Sequence, residues 1–396
     1  MLRTTTLRFR FEGQVACTTG ARSPFESLSV MRIFYDHQVF SLQDAGGASR
    51  YHYELIRNLQ VCNDVEIELL IGLNNSVMPF ARLERDRTRV FGHTTRMKAG
   101  MARYAANELL SSLLAPVHGK FDIYHPTLYR ALPWVRRRRV VVTHHDCTHE
   151  RFPQLFLNAA SIVNTKRKLF TQADAIICVS ESSRKDLLHF YDVEERKTHV
   201  VHHGFSPLQK TPGGGRLEEA PYLLYVGARS AYKNFSLLLD AFSRSGLASR
   251  YHLLAVGGGA WTTEEQARIA SLGLSGSVTL IPKAQDDVLS NAYQNAALFV
   301  YPSLYEGFGF PPLEAMGLGC PVLVNRTSSL PEVCGDAAFY LEASDADELA
   351  RVLVSTLEDA QGLAMKRRLG EQQVMLYDWG RTARSTLDVY RAVVTG

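Results

Sequence analysis

From Met31 onward the chain alternates between short apolar runs and stretches of helical spacing. Met31–Asp36 opens the pattern as a short strand. After Gly46-Gly47, the segment Ala48–Leu59 sets Tyr51, Leu55, Ile56 and Leu59 at helical intervals. Val65–Ile71 reads as a strand, and Phe121–Tyr124, Val140–Thr143 and Ala175–Val179 read as buried ones. Helices are predicted near 101–115, 155–171 and 182–190. Strands alternating with helices predict an α/β fold with a parallel sheet covered on both faces.

The pattern breaks at Ser206–Glu219, where Pro207, Pro212 and Gly213-Gly214-Gly215 replace apolar residues. It then restarts with strands at Tyr222–Val226, His252–Val256, Val278–Ile281, Leu298–Tyr301, Pro321–Val324 and Ala338–Tyr340, and a helix at Phe235–Phe242. Two doubly wound, Rossmann-like domains are therefore expected, 31–205 and 221–378, joined by a linker at 206–220. A last helix in 379–396 carries Ala383, Leu387, Tyr390 and Val393-Val394 as a stripe. It either crosses back onto the first domain or packs into the second. Ligands of such sheets bind beyond the carboxyl ends of the strands, so the cleft between the domains is the expected site.

Residues 1–30 show neither period and no secretory signal, and are expected to be a disordered leader or an over-long start. No run of about 18 apolar residues is present, so no membrane-spanning helix is expected. Six scattered cysteines, with no C-x-x-C pair, fit a reducing compartment rather than a disulfide framework or zinc ribbon. Residues 31–205 carry 24 Lys and Arg against 18 Asp and Glu, whereas residues 206–396 carry 16 against 20. A basic first half suits an anionic partner or membrane surface, or is charge scatter. The excess is too dispersed for nucleic acid, and no zinc-finger or RNA-binding signature supports one.

The densest chemistry lies at Tyr301–Glu314. A strand ends, a loop with Gly307, Phe308 and Gly309 follows, and a helix begins at Pro311-Pro312. Free N–H groups at that helix start favour an anion, so this is a candidate phosphate seat. Glu314, one turn in, suits a ribose diol, or else is a first-turn helix charge. Glu306 on the loop suits a polar ligand group, or is a surface residue.

Glu306 and Glu314 form the E-x7-E pattern of the retaining glycosyltransferases of family 4, which this chain resembles. Pro302-Ser303, Leu313-Glu314-Ala315-Met316, Gly319-Cys320-Pro321-Val322, Ser328-Ser329-Leu330-Pro331-Glu332-Val333 and Gly335-Asp336-Ala337-Ala338 fit the same pattern. So do Gly46–Tyr51, Thr143–Asp146, Val179–Ser183, Val200–Gly204, Tyr225–Arg229 and Tyr232–Phe235, in the expected order. The resemblance runs from about Met31 to the end. It implies the GT-B fold, with an acceptor-binding first domain and a nucleotide-sugar-binding second.

By that resemblance Arg229 and Lys233 hold the donor diphosphate, and Gly47 lets the first domain approach it. Gly307, Phe308, Gly309 and Glu314 complete the donor site. Arg229 follows Gly227-Ala228, where many members have arginine directly after the glycine. His145 and Glu306 stand at the reaction centre; His144, His145, Cys147 and His149 fit no strong zinc spacing. No cofactor or metal is implied beyond the nucleoside diphosphate sugar. The opening Tyr35–Phe40 and Gly46-Gly47 resemble bacterial polysaccharide and O-antigen enzymes using GDP-mannose or a related GDP-sugar. The implied product is a lengthened glycan or lipid-linked glycan, as in lipopolysaccharide synthesis. A silent sugar-nucleotide-binding scaffold and a nucleotide-sugar epimerase are the alternatives.

Basic residues in the first domain add a membrane expectation. Arg82, Arg85, Arg87 and Arg89, the run Arg136–Arg139, and Arg96, Lys98 and Arg103 beside an amphipathic Met97–Leu114 helix fit a cytoplasmic enzyme at the inner membrane face, or solvated charge.

Overall fold

The computed structural model describes residues 30–44, 46–83, 86–94, 100–114, 121–135, 138–211 and 217–396. The expected leader, the linker residues Pro212–Gly215, and Arg85, Arg96, Lys98, Arg136 and Arg137 lie outside the described residues.

The first half forms β1 (Met31–Tyr35), β2 (Val65–Asn74), β3 (Thr88–Thr94), β4 (Ile123–His125), β5 (Arg139–His144), β6 (Ala175–Cys178) and β7 (Thr198–Val200). The second forms β8 (Tyr222–Val226), β9 (His252–Val256), β10 (Val278–Ile281), β11 (Leu298–Tyr301), β12 (Val322–Asn325) and β13 (Ala338–Leu341). The sheets run in the orders β3-β2-β1-β4-β5-β6-β7 and β10-β9-β8-β11-β12-β13, and every pairing is parallel. These are two Rossmann-like α/β units. The strands of β8, β11 and β12 are buried throughout, which is why they read as unbroken apolar runs. Each fully buried Leu, Val or Phe there contributes about 1.5–3 kcal/mol.

Both sheets reverse their winding at one place, between β1 and β4 and between β8 and β11. The chain leaving β1 at Asp36 is fixed by a fully buried carboxylate. Asp36 accepts from Thr127 Oγ1 at 2.6 Å, Tyr124 Oη at 2.5 Å and Gln38 Nε2 at 2.5 Å. Five donors in all, counting two backbone N–H groups, satisfy this buried charge.

The Trp379–Thr395 helix packs on the first unit. Its Tyr390 hydroxyl meets Tyr35 Oη at 2.7 Å and His125 Nδ1 at 2.5 Å, and Arg391 pairs with Asp64 at 2.5 Å. Gly204 makes the crossing tight: a Cβ there would run into Trp379.

The Gly100–Leu114 helix differs from its expected form. Its buried residues are polar: Arg103, Asn107 and Ser111. Arg103 is 2% exposed and donates to Ser41 O at 3.0 Å and Asp44 Oδ1 at 2.9 Å, so it is not a surface charge. Asn107 holds the bulge of β2 at Gly72, accepting from Leu73 N at 2.7 Å and donating to Leu73 O at 2.8 Å. Met101, Leu109 and Leu113 face outward. Two described members of the arginine run are also engaged with the fold. Arg138 caps Phe121 O at 3.3 Å, and Arg139 reaches Val394 O. Among the described residues no helix is long and apolar enough to cross a membrane.

Candidate active site

A cleft of about 1230 Å³ opens at the two switch points and is lined from both units. Its second-unit wall is built by the loop after β11. Gly309 takes φ +109°, a left-handed conformation that suits glycine, and caps the Phe310–Gly317 helix. Pro311 and Pro312 fit the first turn but carry no N–H. The donors left for an anion are therefore fewer than a helix start normally offers. Gly307 is required for another reason: a Cβ there would strike the His145 carbonyl oxygen of the opposite wall. The Ser180 hydroxyl donates to Gly307 O at 2.7 Å, and Cys147 N donates to Tyr305 Oη at 2.8 Å, so the two units meet at this loop.

Glu306 and Lys233 face each other in the cleft, with Nζ to Oε1 at 2.5 Å, and Lys233 also reaches Tyr301 Oη at 3.1 Å. Asn234, in the left-handed region at φ 60°, turns the chain there from a single helical turn into the Phe235–Arg244 helix. The Glu306 backbone is clamped from both sides. Its N–H donates to Ser328 Oγ at 2.9 Å and its carbonyl accepts from Ser329 Oγ at 2.9 Å. Phe308 packs against His203 with ring centroids 4.9 Å apart.

The first-unit wall carries Gly46, Gly47 and Ala48 at the start of the Gly47–Leu59 helix, and His145 after β5. A Cβ on Gly47 would meet nothing within 4 Å, so the room it leaves is cleft space. Of the paired histidines, His145 lines the cleft. His144 turns into the core, its ring 5.4 Å from Phe170. The His145 ring stacks on His203 at 5.6 Å, and its Nε2 has no partner among the described residues. Burial, with help from Lys166 and against Asp146, brings His145 down to about 4, so it is neutral at pH 7. Asp146 moves the other way from its surroundings: Lys166 and the Thr148 N–H overcome its burial and hold it at about 2.

Two predicted residues stand apart from the cleft lining. Ala228 lines the cleft, in the turn that follows Gly227 at φ +137°, and Arg229 does not. Arg229 is 4% exposed and turned outward. It binds Glu265 at 2.7 Å and the carbonyls of Gly257, Gly259 and Ala260 at 2.5, 3.2 and 2.9 Å. Glu265 is also the capping-box residue of the Thr263–Ser271 helix, so Arg229 is tied into that helix start. Glu314 lies one turn behind the lining residues Phe310 and Pro311. Its side chain is 13% exposed, accepts from Tyr293 Oη at 3.2 Å, and faces Arg50 at 3.7 Å. Burial raises its carboxyl above the usual range, against the pull of Arg50 and the Tyr293 hydrogen bond.

Sequence reasoning missed Lys166, His203 and Arg130, all of which line the cleft. Lys166 is 1% exposed and donates to Asp146 O at 2.9 Å and to both oxygens of Glu150 at 3.0 and 3.2 Å. A lysine at helical spacing among Ala159, Leu169 and Phe170 was the available signal. His203 lay in the matched segment Val200–Gly204, but nothing there singled it out. Among the described residues no group of three or more His, Cys, Asp or Glu is placed to hold a metal ion.

Two parallel-sheet Rossmann-like units meeting at a cleft, with Lys233 and Glu306 on one wall, define the GT-B class of glycosyltransferases. The fold is shared with solved structures. Sucrose-phosphate synthase from Thermosynechococcus elongatus has TM-score 0.73 at 18% identity, covering 92% of this chain and 99% of that one. Anabaena HepE, solved in complex with UDP and glucose, has TM-score 0.70 at 18% identity, covering 91% and 100%. Residues 45–207 match Glycosyltransferase Family 4 and residues 209–373 match Glycosyl transferases group 1. The chain belongs to this glycosyltransferase family and is a hexosyltransferase. It is 26% identical to O-antigen chain mannosyltransferase B of Escherichia coli, over 87% of this chain and 96% of that one. It is 28% identical to the MMP alpha-(1->4)-mannosyltransferase of Mycolicibacterium hassiacum, over 71% and 73%.

Proposed function

We propose that the chain is a retaining mannosyltransferase of polysaccharide or O-antigen synthesis, using GDP-mannose or a related GDP-sugar without a metal. The observation that carries this is the Lys233–Glu306 pair facing a cleft that His145 and Gly47 line from the other unit. The mannosyltransferases among its relatives support the sugar.

Lys233 pairs with Glu306 on the cleft wall. An arriving diphosphate takes Lys233 as its counter-ion and frees Glu306 for hydroxyls of the donor sugar. The bond from sugar C1 to the diphosphate oxygen then breaks, and negative charge gathers on the leaving phosphate. Lys233 and the N–H groups of Gly309 and Phe310 stabilise that charge; such groups are worth about 3–4 kcal/mol each where single donors have been removed. The acceptor hydroxyl forms the new bond to C1 on the same face, and its proton passes to the leaving phosphate oxygen. Glu306 is given the binding of sugar hydroxyls rather than attack on C1, so this reading takes the same-face route and not a double displacement. Neutral His145 borders the transferred sugar, its ring stacked on His203.

The acceptor, in this reading, is a glycan or lipid-linked glycan held by the first unit at the inner membrane face. The outward Met101, Leu109 and Leu113 support it, since Met101 and Tyr104 of the same helix line the cleft. The test is transfer from GDP-mannose in EDTA with NMR of the product. Retention gives the donor's anomeric configuration at C1; the opposite configuration, or activity only with added metal, overturns that part of the proposal.

A further inference from the structure

The donor reading asks for two cations at a diphosphate, yet among the described residues the second unit lines the cleft with one, Lys233. Arg229 is committed to one carboxylate and three carbonyls, with its guanidinium 4.7 Å from the Trp261 ring centre. Of the other cations lining the cleft, Lys166 is buried and satisfied by Glu150 and Asp146 O. Arg130 lines the first-unit wall beside Gln38, whose Nε2 donates to its carbonyl oxygen.

Arg50 is placed differently. It sits one turn into the Gly47–Leu59 helix, whose first residues, Gly47 and Ala48, line the cleft. Opposite it is Glu314, one turn into the Phe310–Gly317 helix, whose first residues line the cleft from the second unit. Two helix starts therefore point into one cleft, and Arg50 and Glu314 join them just behind. Arg50 is loosely held: 3.7 Å from Glu314 Oε1, 3.4 Å from Ser206 O, and 35% exposed. A guanidinium with such weak partners can turn to a better one. Arginine presents a planar donor fork that matches phosphate oxygens.

We infer that Arg50 is the second cation for the donor, a binding residue that links the two units through the bound diphosphate. This rests on the nucleoside diphosphate sugar reading above. When the ribose takes Glu314, Arg50 is released from it and swings one turn towards the diphosphate between the two helix starts. Donor binding then draws both units together.

The test is calorimetric titration of GDP, UDP, GMP and UMP into the full chain and its variants. Arg50→Met is expected to weaken the preferred diphosphate about ten-fold or more, and the matching monophosphate much less. Arg50→Lys should recover part of that loss. Arg229→Met should leave the diphosphate-to-monophosphate ratio unchanged while lowering the melting temperature. An unchanged ratio in Arg50→Met, with the unaltered protein binding normally, overturns the role of Arg50 alone. If the Arg50→Met loss vanishes in a Glu314→Gln background, Arg50 acts only by holding Glu314, and the inference also fails. If the unaltered protein binds neither diphosphate, the donor reading and the Arg50 role fall together.

Discussion

Lys233 and Arg229 are four residues apart and do opposite work. Lys233 holds its ammonium in the cleft against Glu306; Arg229 ties a loop to a helix cap. Lys233→Met should therefore lower kcat by about 10²–10³ with little change in melting temperature, the cost of removing one preorganised transition-state donor. Arg229→Met should instead lower the melting temperature and leave kcat within a few-fold, because it strands the buried side of Glu265. Steady-state kinetics with thermal melts of both variants checks this; equal losses of kcat would refute it. The positions of Glu306, Gly307 and Gly309 were legible because the loop's glycines and carboxylate follow a recognisable run. The side Arg229 faces was not, because it depends on one residue of register. Ala228 occupies the inward place, and Arg229 is drawn away from it by Glu265 and the carbonyls of Gly257, Gly259 and Ala260.

Elements were legible where period and burial agree. The strands on either side of both switch points read directly as apolar runs. Edge strand β3 did not: Arg89, Gly92 and His93 give it the look of a basic loop, since an edge strand needs little apolar content. The Gly100–Leu114 helix shows a subtler failure. Its period was visible, but its polarity is inverted, because the bulge of β2 supplies polar partners for Asn107, and Ser41 and Asp44 supply them for Arg103. The same inversion leaves Leu109 and Leu113 outside, 65% and 67% exposed. A helix with that outer face at the mouth of a lipid-linked acceptor site should touch lipid. Replacing both leucines with glutamate should abolish co-sedimentation with anionic phospholipid vesicles. The melting temperature should hold, since exposed positions carry little stability. Undiminished co-sedimentation would remove this helix from the membrane contact.

At the scale of the molecule, the two units are tied by polar groups as well as by apolar contacts such as Val179 and Tyr305. Glu332 accepts from Glu181 N at 2.8 Å and Ser182 N at 3.2 Å, and faces His202 Nε2 at 2.6 Å. Burial would raise its carboxyl, but these hydrogen bonds hold it below the usual range. Beside them lie His52, His125, His145 and His203, and behind them His144, all kept below ordinary histidine by burial. His125 falls to about 3 and His145 to about 4. As pH falls below about 6.5, the unfolded chain takes up protons that these folded imidazoles refuse. Stability must therefore drop between about pH 6.5 and pH 4, and drop further below that as Glu332 and Asp146 are titrated. Glu314, raised by burial, opposes this as a single group. Melting curves from pH 7.5 to 4.5 should show a steady fall; a flat or rising series would contradict the neutral buried cluster. None of this was legible in the sequence, where the histidines fall in separate elements and only the fold gathers them.

The central claim is that this cleft receives a nucleoside diphosphate through Lys233. The most direct measurement is a thermal melt in EDTA with saturating GDP or UDP, on the unaltered protein and on Lys233→Met. A ligand at about one hundred times its Kd adds about 2.7 kcal/mol to the folded state, which a melt reads easily. The account predicts a clear rise with GDP, a smaller one with UDP, and the loss of most of the rise in Lys233→Met. No rise with either nucleotide, or an equal rise in the variant, would contradict it.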